Sequence, residues 1–180
     1  FLAPSFYGLD FAEVPMLVGT FALGPVAGIV MQIVKILIKL ILKPTSTGFV
    51  GEFANVVMSC ALILPAGFIY RFKKSKNGAL AGMAVGTVLM AVAGVVMNAL
   101  VMIPFYSNFM PIETIIKAGA AVNPAVSSVW TLAIFCVGPF NLVKGTLTSV
   151  ITAVIYKRIS VLIHGASHGT SGSYGVKKAV

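Results

Sequence analysis

Acidic residues are nearly missing from this chain. Four Asp and Glu stand against 13 Lys and Arg in 180 residues, and charged residues of both signs make up only 9%. A soluble domain carries about 25%. Water cannot solvate so uncharged a surface, which leaves the bilayer as the solvent. The scarcity also removes classes of chemistry. No pair of carboxylates lies inside an apolar span, and neither HExxH nor GxSxG occurs, so an intramembrane enzyme has little to work with. No Walker motif is present, so any energy input must come from a partner. The two cysteines, Cys60 and Cys136, stand in apolar surroundings without CxxC or metal spacing and read as small buried hydrophobes. His164 and His168, four apart near the C-terminus, have no third ligand to form a metal site.

What is abundant is apolar. Hydrophobic residues make up 58% of the chain, and the mean hydropathy is +1.02. The net charge of +9 sits at segment ends, not on an aromatic-interleaved surface. That distribution is the positive-inside pattern and excludes a nucleic-acid interface.

In chain order, Phe1–Leu9 is aromatic and turn-rich and reads as a loop entered from an upstream segment; no cleavable signal peptide is visible. Asp10 followed by Glu13 resembles a capping box opening a short apolar segment, Phe11–Leu23. Gly24-Pro25 breaks the chain, and Pro25–Leu42 is the next helix. Lys35, Lys39 and Lys43 form one stripe on it, which faces either lipid headgroups, the preferred reading, or the ligand side. Glu52–Tyr70 follows the loop Pro44–Gly51, with Glu52 in its first turn, where the helix dipole suits a carboxylate. Arg71–Asn77 holds four cations and no acid, and so faces the cytoplasm. Gly78–Ile103 is free of charge, and its Gly78, Gly82, Gly86 and Gly94 line one face that invites close helix approach. Asn98 is the polar exception, set either to bond across helices or to point into a cavity.

Pro104–Gly138 reads as a long connection with an interfacial helix at Pro111–Ala121 and an apolar piece, Ser127–Val137, too short to span alone. The last span is Pro139–Tyr156, with Pro139 in its first turn and Asn141 and Lys144 on one face. A lysine in an apolar span marks a functional site by default, although near a helix start it can also snorkel to the interface. Residues 1–164 form the membrane domain, and 165–180, rich in Gly and Ser, a flexible tail.

The expected architecture is an all-α, polytopic membrane helix bundle with five transmembrane segments and a cytoplasmic C-terminus. That orientation gathers the acids (Asp10, Glu13, Glu52, Glu113) with Asn98, Asn141 and Lys144 toward the outer side. The convergence of outward loops and buried polar groups on one mouth indicates a ligand pocket opening outward. Against the rule, Lys39 and Lys43 also fall on that side. A channel is disfavoured, because Gly78–Ile103 repeats no polar residue along a face.

LDFAEVPMLVGTFALGPVAGIVMQIVKILIK, STGFVGEFANVVM, the Asn98 stretch ending in PFY, and PFNLVKG together resemble the riboflavin-specific S components (RibU type) of energy-coupling factor (ECF) transporters. The resemblance covers Leu9 to Ile159. It implies a six-helix fold with both termini cytoplasmic, so that one helix, bearing a small-residue docking motif, would precede Phe1. It also implies high-affinity capture of a vitamin on the outer side, and delivery inward with a transmembrane coupling protein and two ATPases. Carried over by motif, the ligand contacts are Asn141, Lys144, Asn98 and the first outer loop with Tyr7, Leu9 and Asp10; Glu52, at the same mouth, joins them. An Asn amide both donates and accepts, as the pyrimidine edge of a flavin requires, and Lys144 can donate to a ring carbonyl or a ribityl oxygen. Phe6, Tyr7, Phe105 and Tyr106 are available to cover the ring. Riboflavin is then a transported ligand and no cofactor is expected; whether FMN also binds is open. An S component for thiamine or biotin is the nearest alternative.

Overall fold

The structure, a computed structural model, describes the backbone of residues 12–43, 45 and 48–167, with side chains as far as Tyr156. Every regular element among these residues is helical. Helix α1 is Glu13–Leu23 and α2 is Pro25–Leu42. Between them Gly24 adopts φ 100°, a left-handed value that glycine takes without steric cost and that lets the chain reverse in one residue. Helix α3 is Val50–Phe72. Helix α4 runs unbroken over Lys76–Tyr106. A short helix α5, Ile112–Ala120, lies across the loop that follows. Helix α6 occupies 129–167; its stretch Val129–Tyr156 is long and apolar enough to cross a membrane, as are α2, α3 and α4. Helix α1, with 11 residues, is too short to do so by itself. The chain is therefore a multi-pass membrane protein.

The α6 helix departs from the sequence reading. The apolar piece before Gly138 and the span after it are one helix, and Pro139 lies inside it rather than in a first turn. The joint is a π-helical segment, Ala133–Val137. A matching π segment, Asn98–Met102, carries α4 past Pro104. A proline lacks an N–H and its ring crowds the carbonyl four residues back. Widening the preceding turn relieves that clash: the Ile103 N–H reaches back five residues to Asn98 O. Each proline thus stands two residues after a π segment and breaks neither helix. At the other end, α6 continues through Ser167, so Gly165 is helical; residues 168–180 lie outside the described residues.

The bundle is built on α3 and α4. Gly82 and Gly86 bring the two backbones together: a Cβ at Gly82 would stand 2.8 Å from Ala66 O, and one at Gly86 would strike Leu62 O. The glycine face predicted a close approach, and α3 is what fills it. Leu17, Phe21, Leu62, Ile63, Met83 and Met90 form the main core from α1, α3 and α4. One end of the bundle is sealed by Phe21 against Tyr70 and Tyr156, at ring distances of 4.9 and 5.7 Å, with the two tyrosine hydroxyls in contact. A second cluster, Ile103, Ile115, Val126, Leu132 and Cys136, holds α5 over the opposite end. Cys136 is buried as expected, while Cys60 is half-buried. Helix α2 is peripheral: only Pro25, Gly28 and Gln32 are buried, while Val30, Val34, Leu37 and Ile41 are exposed where lipid would lie.

Candidate functional site

At the end away from the tyrosines, five helices contribute polar side chains to one interior region. They come from the start of α1, the middle of α2, the first turns of α3, the π segment of α4 and the middle of α6. Glu13, Gln32, Glu52, Asn98, Asn141 and Lys144 are all buried there.

Glu13 is at the centre. The expected capping box does not form. Helix α1 starts at Glu13 itself, behind an N-cap residue, Ala12, that makes no side-chain cap bond. The carboxylate instead turns inward, 0% exposed. Its Oε1 accepts from Lys144 Nζ at 2.9 Å and from Ser59 Oγ at 3.2 Å, and Lys35 Nζ stands 3.9 Å away. Lys144 is 6% exposed. It lies about 22 Å along α6 from Val129, at 1.5 Å per residue, too deep to snorkel past the first turn. The snorkelling alternative rested on a helix start at Pro139 and fails with it. An isolated ammonium buried at such depth is costly, and the Glu13 carboxylate offsets that cost.

The network continues through α3 into α2. Ser59 Oγ lies 3.5 Å from Asn55 Oδ1, which accepts from Gln32 Nε2 at 3.2 Å. Gln32, Lys35 and Lys39 recur at i, i+3 and i+7, which places them on one face of α2, and that face looks inward. The headgroup reading of the lysine stripe is thus corrected for Lys35 and Lys39. Lys39 Nζ donates to Glu52 Oε1 at 3.3 Å, and Thr45 Oγ1 donates to Glu52 Oε2 at 3.0 Å. That pairing accounts for cations at a mouth where the charge rule did not expect them. Thr45 Oγ1 also accepts from the Phe49 N–H at 3.1 Å. Phe49 itself takes φ 69°, a left-handed conformation that is uncommon for a non-glycine residue and is held here against the start of α3.

Asn98 and Asn141 both bond within their own helices: Nδ2 of Asn98 donates to Gly94 O at 2.8 Å, and Nδ2 of Asn141 to Val137 O at 3.0 Å. Asn141 packs against Gly94, the residue whose carbonyl Asn98 bonds: a Cβ there would lie 2.5 Å from Asn141 Nδ2. Asn98 opens one π segment and Val137 closes the other, so the backbone is widened close to both amides. Above them an apolar cavity of about 330 Å³ opens between α4, α5 and α6, lined by Ile103, Tyr106, Met110, Thr114, Ile115 and Leu132. Phe105 packs on Tyr106 and Phe109, at ring distances of 6.0 and 5.3 Å, rather than lining that cavity. Tyr7, Leu9 and Asp10, with Phe6, lie outside the described residues. Among the described residues, no group of His, Cys, Asp or Glu could hold a metal ion.

Asn98, Asn141, Lys144 and Glu52 are therefore brought to one end of the bundle, with Lys144 and Glu52 in separate ion pairs. Sequence reasoning missed Glu13, Gln32 and Lys35 as members of the site. The signal was available for α2: Gln32 is the chain's single glutamine and shares a face with two of the lysines. Glu13 gave no such signal, because its neighbour Asp10 offered a local explanation for both acids.

Comparison with known proteins gives a consistent result. The family model described as the substrate-specific component of ECF transporters matches residues 1–156. The riboflavin transporter RibU of Staphylococcus aureus is 29% identical over 157 residues, covering 87% of this chain and 77% of that protein. The riboflavin transporter FmnP of Bacillus subtilis is 26% identical over 159 residues, covering 87% and 78%. A solved structure of the S component of a bacterial ECF transporter superposes with a TM-score of 0.65 at 29% identity, covering 86% of this chain and 79% of that one.

Proposed function

The chain belongs to the substrate-specific components of ECF transporters, and from that premise we propose that it captures riboflavin at the polar end of its bundle for delivery into the cell. The observation that carries this reading is Lys144, buried with Asn141 on one face of α6 at the end of the bundle where Asn98 is also buried. Amides that donate and accept, beside an ammonium that only donates, suit the carbonyls and ring nitrogens along the polar edge of an isoalloxazine. The apolar cavity beside Tyr106 suits the rest of a flat apolar slab. Tyr7, Leu9, Asp10 and Glu52 are proposed contacts at the mouth. The names of the two relatives support riboflavin over thiamine or biotin.

In this reading the polar end faces outward and the C-terminus is cytoplasmic. The cationic stretch Arg71–Asn77 at the opposite end supports that orientation. Delivery requires partners: a transmembrane coupling protein and two ATPases, since this chain carries no phosphate-binding motif of its own. The flavin is cargo and no cofactor is assigned; the task is capture, with no reaction assigned to the chain.

The test is the absorbance spectrum of the detergent-purified protein, followed by titration with riboflavin while its fluorescence is read. A co-purifying flavin, or quenching that saturates at one flavin per chain, is expected. Folded protein that neither carries a flavin nor quenches one overturns the reading.

A further inference from the structure

This inference rests on the riboflavin reading and concerns the side of the network away from Lys144. Glu13 Oε1 receives Lys144 and Ser59, at 2.9 and 3.2 Å. Gln32 spends its amide nitrogen on Asn55 Oδ1 at 3.2 Å. Two atoms remain, Glu13 Oε2 and Gln32 Oε1, both buried and both without a hydrogen-bond partner. Each residue is 0% exposed. Buried polar atoms are nearly always paired, so each such atom calls for an explanation. Of the other two buried polar atoms, Thr148 Oγ1 is a hydroxyl that can donate or accept and Lys35 Nζ is a donor, whereas a carboxylate or carbonyl oxygen cannot supply its own donor.

Both orphan atoms are acceptors, and they belong to one network linked through Ser59 and Asn55. Lys35 stands beside this network as an ion-pair partner, 3.9 Å from Glu13 Oε1, and neither acceptor has a donor within hydrogen-bond distance. The flavin ring cannot supply many, because its polar edge consists chiefly of carbonyl oxygens and ring nitrogens. Those are served from the other side of the site by Lys144, Asn98 and Asn141. The donors of riboflavin are concentrated in the hydroxyl groups of its ribityl chain.

We propose that Glu13 Oε2 and Gln32 Oε1 form the hydroxyl-recognising part of the site, accepting hydrogen bonds from the polyhydroxyl chain of the flavin. Glu13 then links the two halves of the ligand: one oxygen holds the lysine that meets the ring, and the other meets the chain. The pair sets the preference for riboflavin over a flavin with the same ring and no chain.

Lumiflavin, which carries a methyl group in place of the ribityl chain, is the discriminating probe. Affinities for riboflavin and lumiflavin are measured by fluorescence quenching on the full chain in detergent, for wild type, Gln32→Met and Glu13→Gln. Wild type is expected to favour riboflavin. Gln32→Met, similar in volume but without the acceptor, is expected to weaken riboflavin about tenfold and leave lumiflavin within about twofold, the signature of one lost hydrogen bond to the chain. Glu13→Gln puts an amide in place of the charged acceptor, and the preference for riboflavin narrows again. If Gln32→Met does not fold, as judged by its melting curve, the ratio in Glu13→Gln decides. A purely structural role would weaken both flavins together, and an unchanged ratio overturns the proposal. Wild type that binds both flavins equally overturns it too but leaves the flavin reading standing, whereas wild type that binds neither removes both.

Discussion

The pair most exposed to test is Lys144 with Glu13. Substituting Lys144→Ala leaves the Glu13 carboxylate in the interior with a serine hydroxyl at 3.2 Å and Lys35 at 3.9 Å. Breaking a buried ion pair from one side costs about 3–5 kcal/mol, and Lys35, still beside the carboxylate, holds the loss toward the lower end of that range. For a chain of this size that corresponds to a fall in melting temperature of roughly 6–20 °C. The double variant Glu13→Leu with Lys144→Met removes both charges at similar volume. Its melting temperature is expected to recover most of that loss, since replacing a buried pair by apolar groups is neutral or stabilising by about 1–4 kcal/mol, less what Lys35 loses with the carboxylate 3.9 Å from it. Ser59 retains Asn55 as a neighbour in that variant, at 3.5 Å. Riboflavin affinity does not return with stability, because the ammonium is still gone. The assay is a thermal melt of detergent-solubilised protein beside a fluorescence titration. A Lys144→Ala protein that melts with wild type, or a double variant as unstable as the single, refutes the argument from buried charge. A double variant that binds riboflavin normally refutes the role of Lys144 in the site.

Three further outcomes are expected. Asn141→Ala weakens riboflavin binding by at least about 1.5 kcal/mol in a titration, the loss of one buried hydrogen bond to the ligand, and an unchanged affinity removes Asn141 from the site. Gly86→Val drives a side chain into Leu62 O and destabilises the fold by about 1–3 kcal/mol or more, so a melt equal to wild type would mean that α3 and α4 can separate at no cost. Lys39→Ala, whose side chain is 48% exposed in its pair with Glu52, costs at most about 1 kcal/mol of stability, a loss that shrinks as salt is added; a large salt-independent loss would contradict a solvent-screened pair.

Most of the fold could be read from the chain because apolar length and charge placement are one-dimensional properties. Helix α2 begins and ends where Gly24-Pro25 and Lys43 indicate, and the glycine face of α4 meets α3 as its spacing requires. The break placed at Gly138-Pro139 failed for a different reason. A proline following a glycine is read as a helix start, and nothing local announces that the preceding turn will widen to admit the ring. The error propagated: with the helix starting at Pro139, Lys144 looked close to an interface, and its need for a carboxylate partner went unnoticed. Glu13 was hidden because its partner is 131 residues away in sequence. No local pattern records such a pairing, and a plausible cap next door supplied a competing account. Asn98, Asn141 and Lys144 stood out as candidates because a polar residue in an apolar helix is conspicuous without any knowledge of the fold.

The widened turns before Pro104 and Pro139 have a consequence for sequence length. A π segment holds one residue more than the α-helical turn it replaces, so removing a single residue from Ala133–Val137 would restore the α-helical register and return Pro139 to a regular turn, with the crowding that the wide turn relieves. The residues before the deletion would then swing by about 100° relative to those after it, the angle one residue subtends in an α-helix. Asn141 and Lys144 would keep their register against α1 and α4, while Leu132 and the rest of the segment that anchors α5 would rotate away from Ile103 and Ile115. In both long helices the position of greatest sensitivity to insertion or deletion is thus a stretch of ordinary apolar residues, and the element that such a change displaces is the cover of the cavity, with the polar groups beneath it left in place.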